Sequence, residues 1–229
     1  MKKALFILSV LLVTMSYGQE IKQVPQISVS GEGKVKVVPD QATIVVTVET
    51  KGNVAKEVKK DNDQQMEAVL KMIKKMNLPP SDYKTQRVSL NPQYDYLKKK
   101  HSYNATQTLE ILLRDLSKYD ELMEGLVDQG INRIDNVVFQ SSKLSQYQSE
   151  ARKLAMKDAK LKAEDYVSVL NQKIGRAMTI SDNSQVYHPQ PIYATMKTMA
   201  LEESVMPRET LAVGEINITA NVSVSFILE

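Results

Sequence analysis

The chain has 229 residues with 30 basic and 27 acidic side chains, and it contains neither cysteine nor tryptophan. A chain of this length can bury a core of its own, and without disulfides its fold must rest on packing. The charges are nearly balanced and interspersed. This distribution lacks the basic patch typical of nucleic-acid binding, so we predict no nucleic-acid partner.

Residues 1–18 have the organisation of a secretory signal peptide. A Met-Lys-Lys start precedes an apolar run over residues 4–13, which is too short to cross a bilayer as a helix. Ser16 and Gly18 supply the small side chains of a cleavage site, so we expect a mature chain of residues 19–229. We predict export to the periplasm, with secretion as the alternative, and no transmembrane segment in the mature chain.

Two strands are predicted at the start of the mature chain. Apolar and polar residues alternate over 27–37, a Pro-Asp turn follows, and a β-branched run occupies 42–48. Gly31 and Gly33 lie inside the first strand. Glycines at such positions indicate either a bulge or the close approach of another backbone.

A helix and a hairpin come next in the chain. Apolar residues at helical spacing predict a helix over 54–76, which the Asn-Leu-Pro-Pro sequence ends. Two alternating runs over 83–96 and 102–113 predict a hairpin, with residues 97–101 at its tip.

The next segment predicts two more helices with a strand between them. Apolar residues from Tyr119 to Val127 mark the second helix, with Gly130 as its C-cap, and a strand follows over 131–140. The third helix, over 145–171, has alanine at every fourth position of one face, at Ala151, Ala155, Ala159 and Ala163. We expect this flat face to lie close against a sheet or another helix.

The C-terminal part predicts two further strands separated by a long segment. Residues 174–180 form one strand, and the alternation over 215–228 predicts another that closes the sheet. The segment 181–212 contains three prolines and has no sustained period, so it is either disordered or functional. The complete pattern predicts an α+β fold with a mainly antiparallel sheet packed with three helices, either as one domain or as two intimately associated subdomains.

Several motifs in this order resemble the SIMPL-domain family, which includes periplasmic immunogenic proteins and oxidative-stress-defence proteins. The resemblance covers about residues 26–228. It is carried by Val29-Ser30-Gly31-Glu32-Gly33, Pro39-Asp40-Gln41-Ala42, Asn91-Pro92-Gln93-Tyr94, the alanine-spaced helix and the closing run 216–226. It implies an α+β fold, a periplasmic location and ring-like or channel-like homo-oligomers. The family offers no agreed enzymatic activity and no catalytic residues to transfer.

The sequence contains no complete motif for nucleotide binding, metal binding or hydrolysis by a serine nucleophile. The Gly31-x-Gly33 pair lacks the third glycine and the strand-to-helix context of a dinucleotide site. His101 and His188 show no metal-ligand spacing, and no G-x-S-x-G elbow presents a serine. We therefore predict no catalytic residue, no cofactor and no enzymatic activity.

Two ligand-binding hypotheses remain, one for the 181–212 loop and one for the hairpin tip. Met196, Met199 and Met206 in the 181–212 loop are candidate Cu(I) ligands, because thioether sulfur is a soft donor, although methionines also serve to dock a loop on the protein or on a neighbouring subunit. Lysines 98–100 stand among three tyrosines, at Tyr94, Tyr96 and Tyr103. This segment could bind anionic lipid or polysaccharide, but a solvated hairpin end whose lysines discourage edge aggregation is the favoured interpretation.

The leading functional hypothesis is a self-associating binding or assembly protein of the cell envelope, with a link to stress defence implied by the family resemblance. Exposed strand edges and the long loop would supply the subunit contacts. The alternative hypothesis is a small-ligand or Cu(I)-binding protein that uses the 181–212 loop as a lid.

Overall fold

The computed structural model describes residues 24–96, 99–184 and 213–229. The main elements in chain order are β1 (Gln26–Val37), β2 (Gln41–Gly52), α1 (Ala55–Lys75), β3 (Tyr83–Asp95), β4 (Lys100–Leu113), α2 (Tyr119–Asp128), β5 (Arg133–Gln140), α3 (Leu144–Ser168), β6 (Ile174–Asp182) and β7 (Ile216–Leu228). Short 3-10 helices, Pro80–Asp82 and Leu116–Lys118, precede β3 and α2. The strands form two antiparallel sheets, which confirms the predicted α+β class with three helices.

The first sheet has three strands in the order β1-β7-β6 and packs against α3. β1 and β7 remain in continuous register from Gln26 opposite Ile227 to Val37 opposite Ile216. The alternation that predicted β7 is the alternation of its burial, because every second side chain faces α3. The expectation that this last strand closes the sheet was wrong, since it lies between the other two strands.

Gly31 and Gly33 allow the backbones of β1 and α3 to approach each other closely. A Cβ atom added to Gly31 would lie 2.6 Å from Ala159 N and closer still to Ala155 O. One added to Gly33 would lie 2.5 Å from Ala155 N and would also meet Ala151 O. The predicted close approach is therefore confirmed. The continuous β1–β7 register shows that the alternative, a bulge, does not occur at these glycines.

The second sheet has four strands in the order β3-β4-β2-β5 and carries α1 and α2 on one face. Its core consists of apolar side chains from both layers, including Ile44, Val46, Leu109 and Ile111 of the sheet and Val69, Ile73, Leu122 and Leu126 of the helices. The buried Asn62 of α1 donates hydrogen bonds from Nδ2 to Val48 O at 3.1 Å and Ala105 O at 3.3 Å. These two bonds join the helix to the adjacent strands β2 and β4.

Gly130 ends α2 in the manner that the sequence predicted. Its φ of 103° is a conformation that glycine adopts without steric penalty, and its N–H donates to Val127 O at 3.0 Å. The following N–H, of Ile131, donates to Leu126 O at 3.0 Å and completes the helix-ending motif. Since Ile131 still belongs to the helix end, β5 begins at Arg133, two residues later than predicted.

Two short connections join the sheets. The Pro-Asp turn leads from β1 in one sheet to β2 in the other, so these sequential strands do not form a hairpin. Asp40 in this turn accepts hydrogen bonds from Ser142 N at 2.7 Å and Ser142 Oγ at 2.6 Å, in the return connection before α3. Partial burial raises the pKa of Asp40, but the Ser142 donors outweigh it and hold that pKa below its ordinary value.

Candidate functional site

The outer edge of β1 is closed by side chains of α3. Glu32 N donates to Asp158 Oδ2 at 2.8 Å, and Lys162 Nζ donates to Ser30 O at 3.2 Å. Lys162 also bonds Asp158 at 2.7 Å. The lysine and the Glu32 N–H together lower the pKa of Asp158. An ionised pair therefore occupies backbone groups that a further strand would otherwise use.

β6, at the other edge of this sheet, is exposed to solvent. Residues 176–182 are exposed throughout, with Met178 at 49% and Ile180 at 60% of full exposure. The register with β7 shifts between Ile174 and Ala177 and again before Thr179. In the part of the chain that the structure describes, no side chain bonds the outer backbone groups of β6. An exposed apolar edge of this kind is a template for a further strand.

A shallow depression lies on the exposed side of α3. It has a volume of about 460 Å³ and is lined by Ser149, Arg152, Lys153, Met156 and Lys157. Arg152 helps to lower the pKa of Asp182, after the larger effect of the Ser184 hydrogen bonds, so its charge lies near the end of β6. Arg152, Lys153 and Lys157 give the depression a positive rim.

The face of the four-stranded sheet opposite α1 and α2 carries a polar network that a bulge in β5 creates. Ile134 pairs with Val46 and Asn136 with Val45, so Asp135 is the extra residue. Its carboxylate accepts hydrogen bonds from Thr47 Oγ1 and, at 2.7 Å, from Arg133 Nε. The bulge thus brings Arg133 and Asp135 together on the face that Thr47 occupies.

The same network extends to Glu49, whose carboxylate accepts from Asn104 Nδ2 at 3.1 Å and Arg133 at 3.1 Å. Lys51 is its other partner at 2.8 Å and is the main cause of the lowered pKa of Glu49. Thr47 is fully buried beneath these groups, so its hydroxyl cannot meet a substrate. The ionised groups of the network are paired with one another, so it is suited to stabilising the sheet face.

The end of the β3–β4 hairpin carries an aromatic cluster. The rings of Tyr94 and Tyr96 lie 5.0 Å apart between centroids at an interplanar angle of 90°, and Tyr94 lies 4.8 Å from the ring of His101. The sequence placed His101 at the hairpin tip, but it belongs to β4 and pairs with Tyr94. β4 is longer than predicted because cross-strand ring packing supports the additional pairs.

The candidate copper ligands Met196, Met199 and Met206 lie outside the described residues, as does His188. A copper site in the 181–212 loop therefore stays a prediction. Within residues 24–96, 99–184 and 213–229, no three acidic or histidine side chains lie close enough together to hold a metal ion.

Sequence reasoning found the small residues at the β1–α3 contact but missed its effect on the strand edge. Asp158 and Lys162 have the i,i+4 spacing of an ordinary surface ion pair, as do Lys160 and Glu164. Only the first pair reaches β1. The sequence contains no local signal that separates the two pairs, because the difference lies in which side of α3 meets the sheet.

Comparisons with known proteins agree with this architecture. The family SIMPL, described as "Protein of unknown function (DUF541)", matches residues 27–226. The protein YggE of Escherichia coli K12 is 28% identical over 213 residues, which is 92% of this chain and 86% of that protein. The 26 kDa periplasmic immunogenic protein of Brucella melitensis is 27% identical over 220 residues, 91% of this chain and 86% of that protein.

The relative from Brucella abortus has the same name and the same 27% identity. No described helix of the present chain combines the length and the apolar character needed to cross a membrane. The family match spans both sheets and all three helices, from within β1 to within β7. This chain belongs to the SIMPL family.

Proposed function

We propose that the protein is an exported, periplasmic, non-enzymatic protein of the cell envelope that acts by self-association. The signal-peptide pattern of residues 1–18 supports export. The word "periplasmic" in the names of the Brucella relatives supports the compartment. The link to stress defence that the family resemblance implies is part of the same proposal.

The observation that carries self-association is the contrast between the two edges of the three-stranded sheet. The β1 edge is bonded to Asp158 and Lys162, whereas the β6 edge exposes Met178 and Ile180 and accepts no such side-chain bonds from residues 24–96, 99–184 and 213–229. Exposed apolar edges promote uncontrolled aggregation unless a specific partner covers them. A second copy of the chain is the partner that supplies an identical edge, and antiparallel pairing of two β6 strands would give a two-fold contact.

The shifted carboxyl pKa values argue against one catalytic role, that of a general acid. Asp40, Glu49, Asp82 and Asp158 are all shifted downward by hydrogen-bond donors or cations, so they are held ionised. A general acid at neutral pH needs the opposite shift. Asp82, for example, accepts two hydrogen bonds from Arg114, at 2.7 and 2.8 Å, and serves to hold the start of β3 against the end of β4.

Light scattering after size-exclusion chromatography tests the proposal on residues 19–229. We expect a discrete oligomer at micromolar concentration. Ile180→Lys places a charge in the β6 contact and should lower the mass to that of a monomer or a smaller assembly, because burying an unpaired lysine is strongly unfavourable. A wild-type monomer at this concentration would refute self-association.

Ile134→Lys is the matched control. Ile134 is 50% exposed and lies on β5, an edge strand of the other sheet, whereas Ile180 is 60% exposed. Both substitutions remove an exposed isoleucine and add one charge to an edge strand. Dissociation by Ile180→Lys alone would support the β6 contact, whereas dissociation by Ile134→Lys alone would move the contact to the four-stranded sheet.

A further inference from the structure

The β3–β4 hairpin extends beyond the sheet to which it belongs. β2 accompanies β4 only as far as the pair Gly52–Tyr103. β3 and β4 continue past this point through Tyr94 with His101 to the final pair at Lys100. Three additional residues per strand, at about 3.4 Å each, carry the hairpin end roughly 10 Å past the end of β2. The residues there are therefore placed to meet a partner before the rest of the sheet does.

Aromatic rings occupy this projecting end. Tyr96 is 83% exposed and Tyr94 is 42% exposed, and their rings are in edge-to-face contact. A tyrosine has an apolar ring and a polar hydroxyl, and such side chains are enriched at the interface between membrane and water. Two exposed tyrosines at the end of a hairpin are suited to that interface.

Positive charge lies next to the rings. Lys99 and Lys100 are both exposed, and Lys99 adopts a φ of 49° in the turn that reverses the chain. The sequence from Tyr94 to His101 contains three lysines and one acidic residue, Asp95, so its formal charge is positive. Lysines close to a bilayer surface are attracted by anionic phospholipids.

We propose that the hairpin end, defined here as Tyr94, Tyr96, Lys99, Lys100 and His101, binds the surface of anionic phospholipid bilayers. The tyrosine rings enter the headgroup layer, and the lysines approach the lipid phosphates. An anionic polysaccharide would supply similar charges, but sugar rings stack best on flat aromatic surfaces. The two tyrosine rings are perpendicular and do not form one flat platform, which favours the lipid surface.

The absence of tryptophan from the sequence provides a direct test. Tyr96→Trp, made in residues 19–229 so that the signal segment cannot enter the bilayer itself, is then the sole tryptophan. We expect its fluorescence to shift to shorter wavelength with vesicles of equal parts phosphatidylcholine and phosphatidylglycerol. With phosphatidylcholine alone we expect little shift. Raising the salt concentration should weaken the effect, because the lysine contribution is screened.

Tyr166→Trp is the control for this measurement. Tyr166 lies on α3 in the other half of the fold and is 63% exposed. Its fluorescence should stay unchanged when the same vesicles are added. If the fluorescence of Tyr96→Trp does not shift with the anionic vesicles, or if Tyr96→Trp and Tyr166→Trp shift equally, the proposal is overturned.

Sedimentation with vesicles tests the charge contribution. Lys99→Gln with Lys100→Gln should lower partitioning to anionic vesicles by about fivefold for each lysine. Lys74→Gln with Lys75→Gln, two exposed lysines at the end of α1, is the charge-matched control and should have much less effect. Equal losses for the two pairs would show a non-specific charge effect and contradict a site at the hairpin.

Two additional binding assays distinguish lipid binding at the hairpin from polysaccharide binding and from an effect of self-association. Dextran sulfate replaces vesicles in the first assay, and binding to it without binding to anionic vesicles would assign the hairpin to polysaccharide and overturn the lipid proposal. The second assay repeats the vesicle sedimentation with Ile180→Lys. Lipid binding that persists in this variant supports a hairpin site independent of self-association. If Ile180→Lys abolishes lipid binding although its hairpin residues are unchanged, the result contradicts such a site.

Discussion

β1 and β6 pair with opposite sides of the same strand, yet their outer edges differ completely. At β1, glycines let α3 lie so close that Asp158 and Lys162 reach the strand backbone. At β6, no comparable contact with α3 occurs among the described residues, and Met178 and Ile180 stay exposed. The comparison teaches that small residues at a helix–sheet contact can protect a strand edge as well as improve packing.

The largest expected effect comes from separating β1 from α3. Gly31→Ala places a Cβ atom against Ala155 O and Ala159 N, both backbone atoms that cannot move independently. We expect a loss of roughly 3 kcal/mol or more in the free energy of unfolding, measured by urea denaturation, because overpacking forces backbone shifts.

Gly175→Ala in β6 is the matched control for this substitution. The three atoms nearest to a Cβ at Gly175 all belong to the side chain of Glu229, whose flexible end can turn away. Its effect on stability should be below about 1 kcal/mol, since alanine also restricts the unfolded chain. Similar losses for the two variants would show that the β1–α3 contact is not unusually close.

A smaller effect is expected when the β1 edge is opened without disturbing the core. Asp158→Ala with Lys162→Ala removes both side-chain bonds to the β1 backbone. We expect a loss in unfolding free energy that is clearly smaller than that of Gly31→Ala, because both side chains are partly exposed and their bonds are screened by solvent. Static light scattering should also show increased association, because β1 then resembles β6.

The pair Lys160 and Glu164 is the control for that experiment. These residues form an exposed i,i+4 ion pair on the same helix, with 3.6 Å between Lys160 Nζ and Glu164 Oε1. Lys160→Ala with Glu164→Ala should change stability by less than about 0.5 kcal/mol and leave association unchanged. Increased association in both double variants would indicate a general charge effect instead of an opened edge.

The smallest expected effect is the pH dependence of the β1 edge. Lys162, followed by the Glu32 N–H, lowers the pKa of Asp158 in the folded state. The stabilisation is therefore fully present above the unfolded pKa of about 3.9 and is lost as pH falls through the lower folded value. Asp158→Asn should lower stability by less than about 1 kcal/mol at pH 7 and by progressively less in acid. A difference from wild type that stays constant down to about pH 2, below the ordinary carboxyl range, would contradict this assignment.

Local patterns in the sequence predicted the elements well. The helical stripe of α1 and the alternation of β7 report directly which side chains are buried, so they can be recognised without knowing the partner. Gly130 was predictable because a positive φ at a helix end favours glycine. Errors at the start of β5 and at His101 arose where a helix-ending hydrogen bond or a cross-strand ring contact set the boundary.

The candidate surfaces were less predictable than the elements. Tyr94, Tyr96 and the adjacent lysines were visible in the sequence, but whether the hairpin projects depends on where β2 ends beside it. The Thr47–Asp135–Arg133 network depends on the register shift between β2 and β5. A shift of this kind reflects contacts between residues far apart in the chain, which local periodicity does not report.

By itself, the sequence determined the order and type of the elements and the flat alanine face of α3, and it limited Gly31 and Gly33 to either a bulge or a close backbone approach. Burial periodicity and steric size are properties of short segments, so they can be read locally. Only the tertiary structure decided that β1 and β2 belong to different sheets, that β7 lies at the centre of its sheet and that β1 and β6 are its edge strands. The choice among pairing partners depends on packing between distant segments, and several pairings satisfy the same alternating pattern.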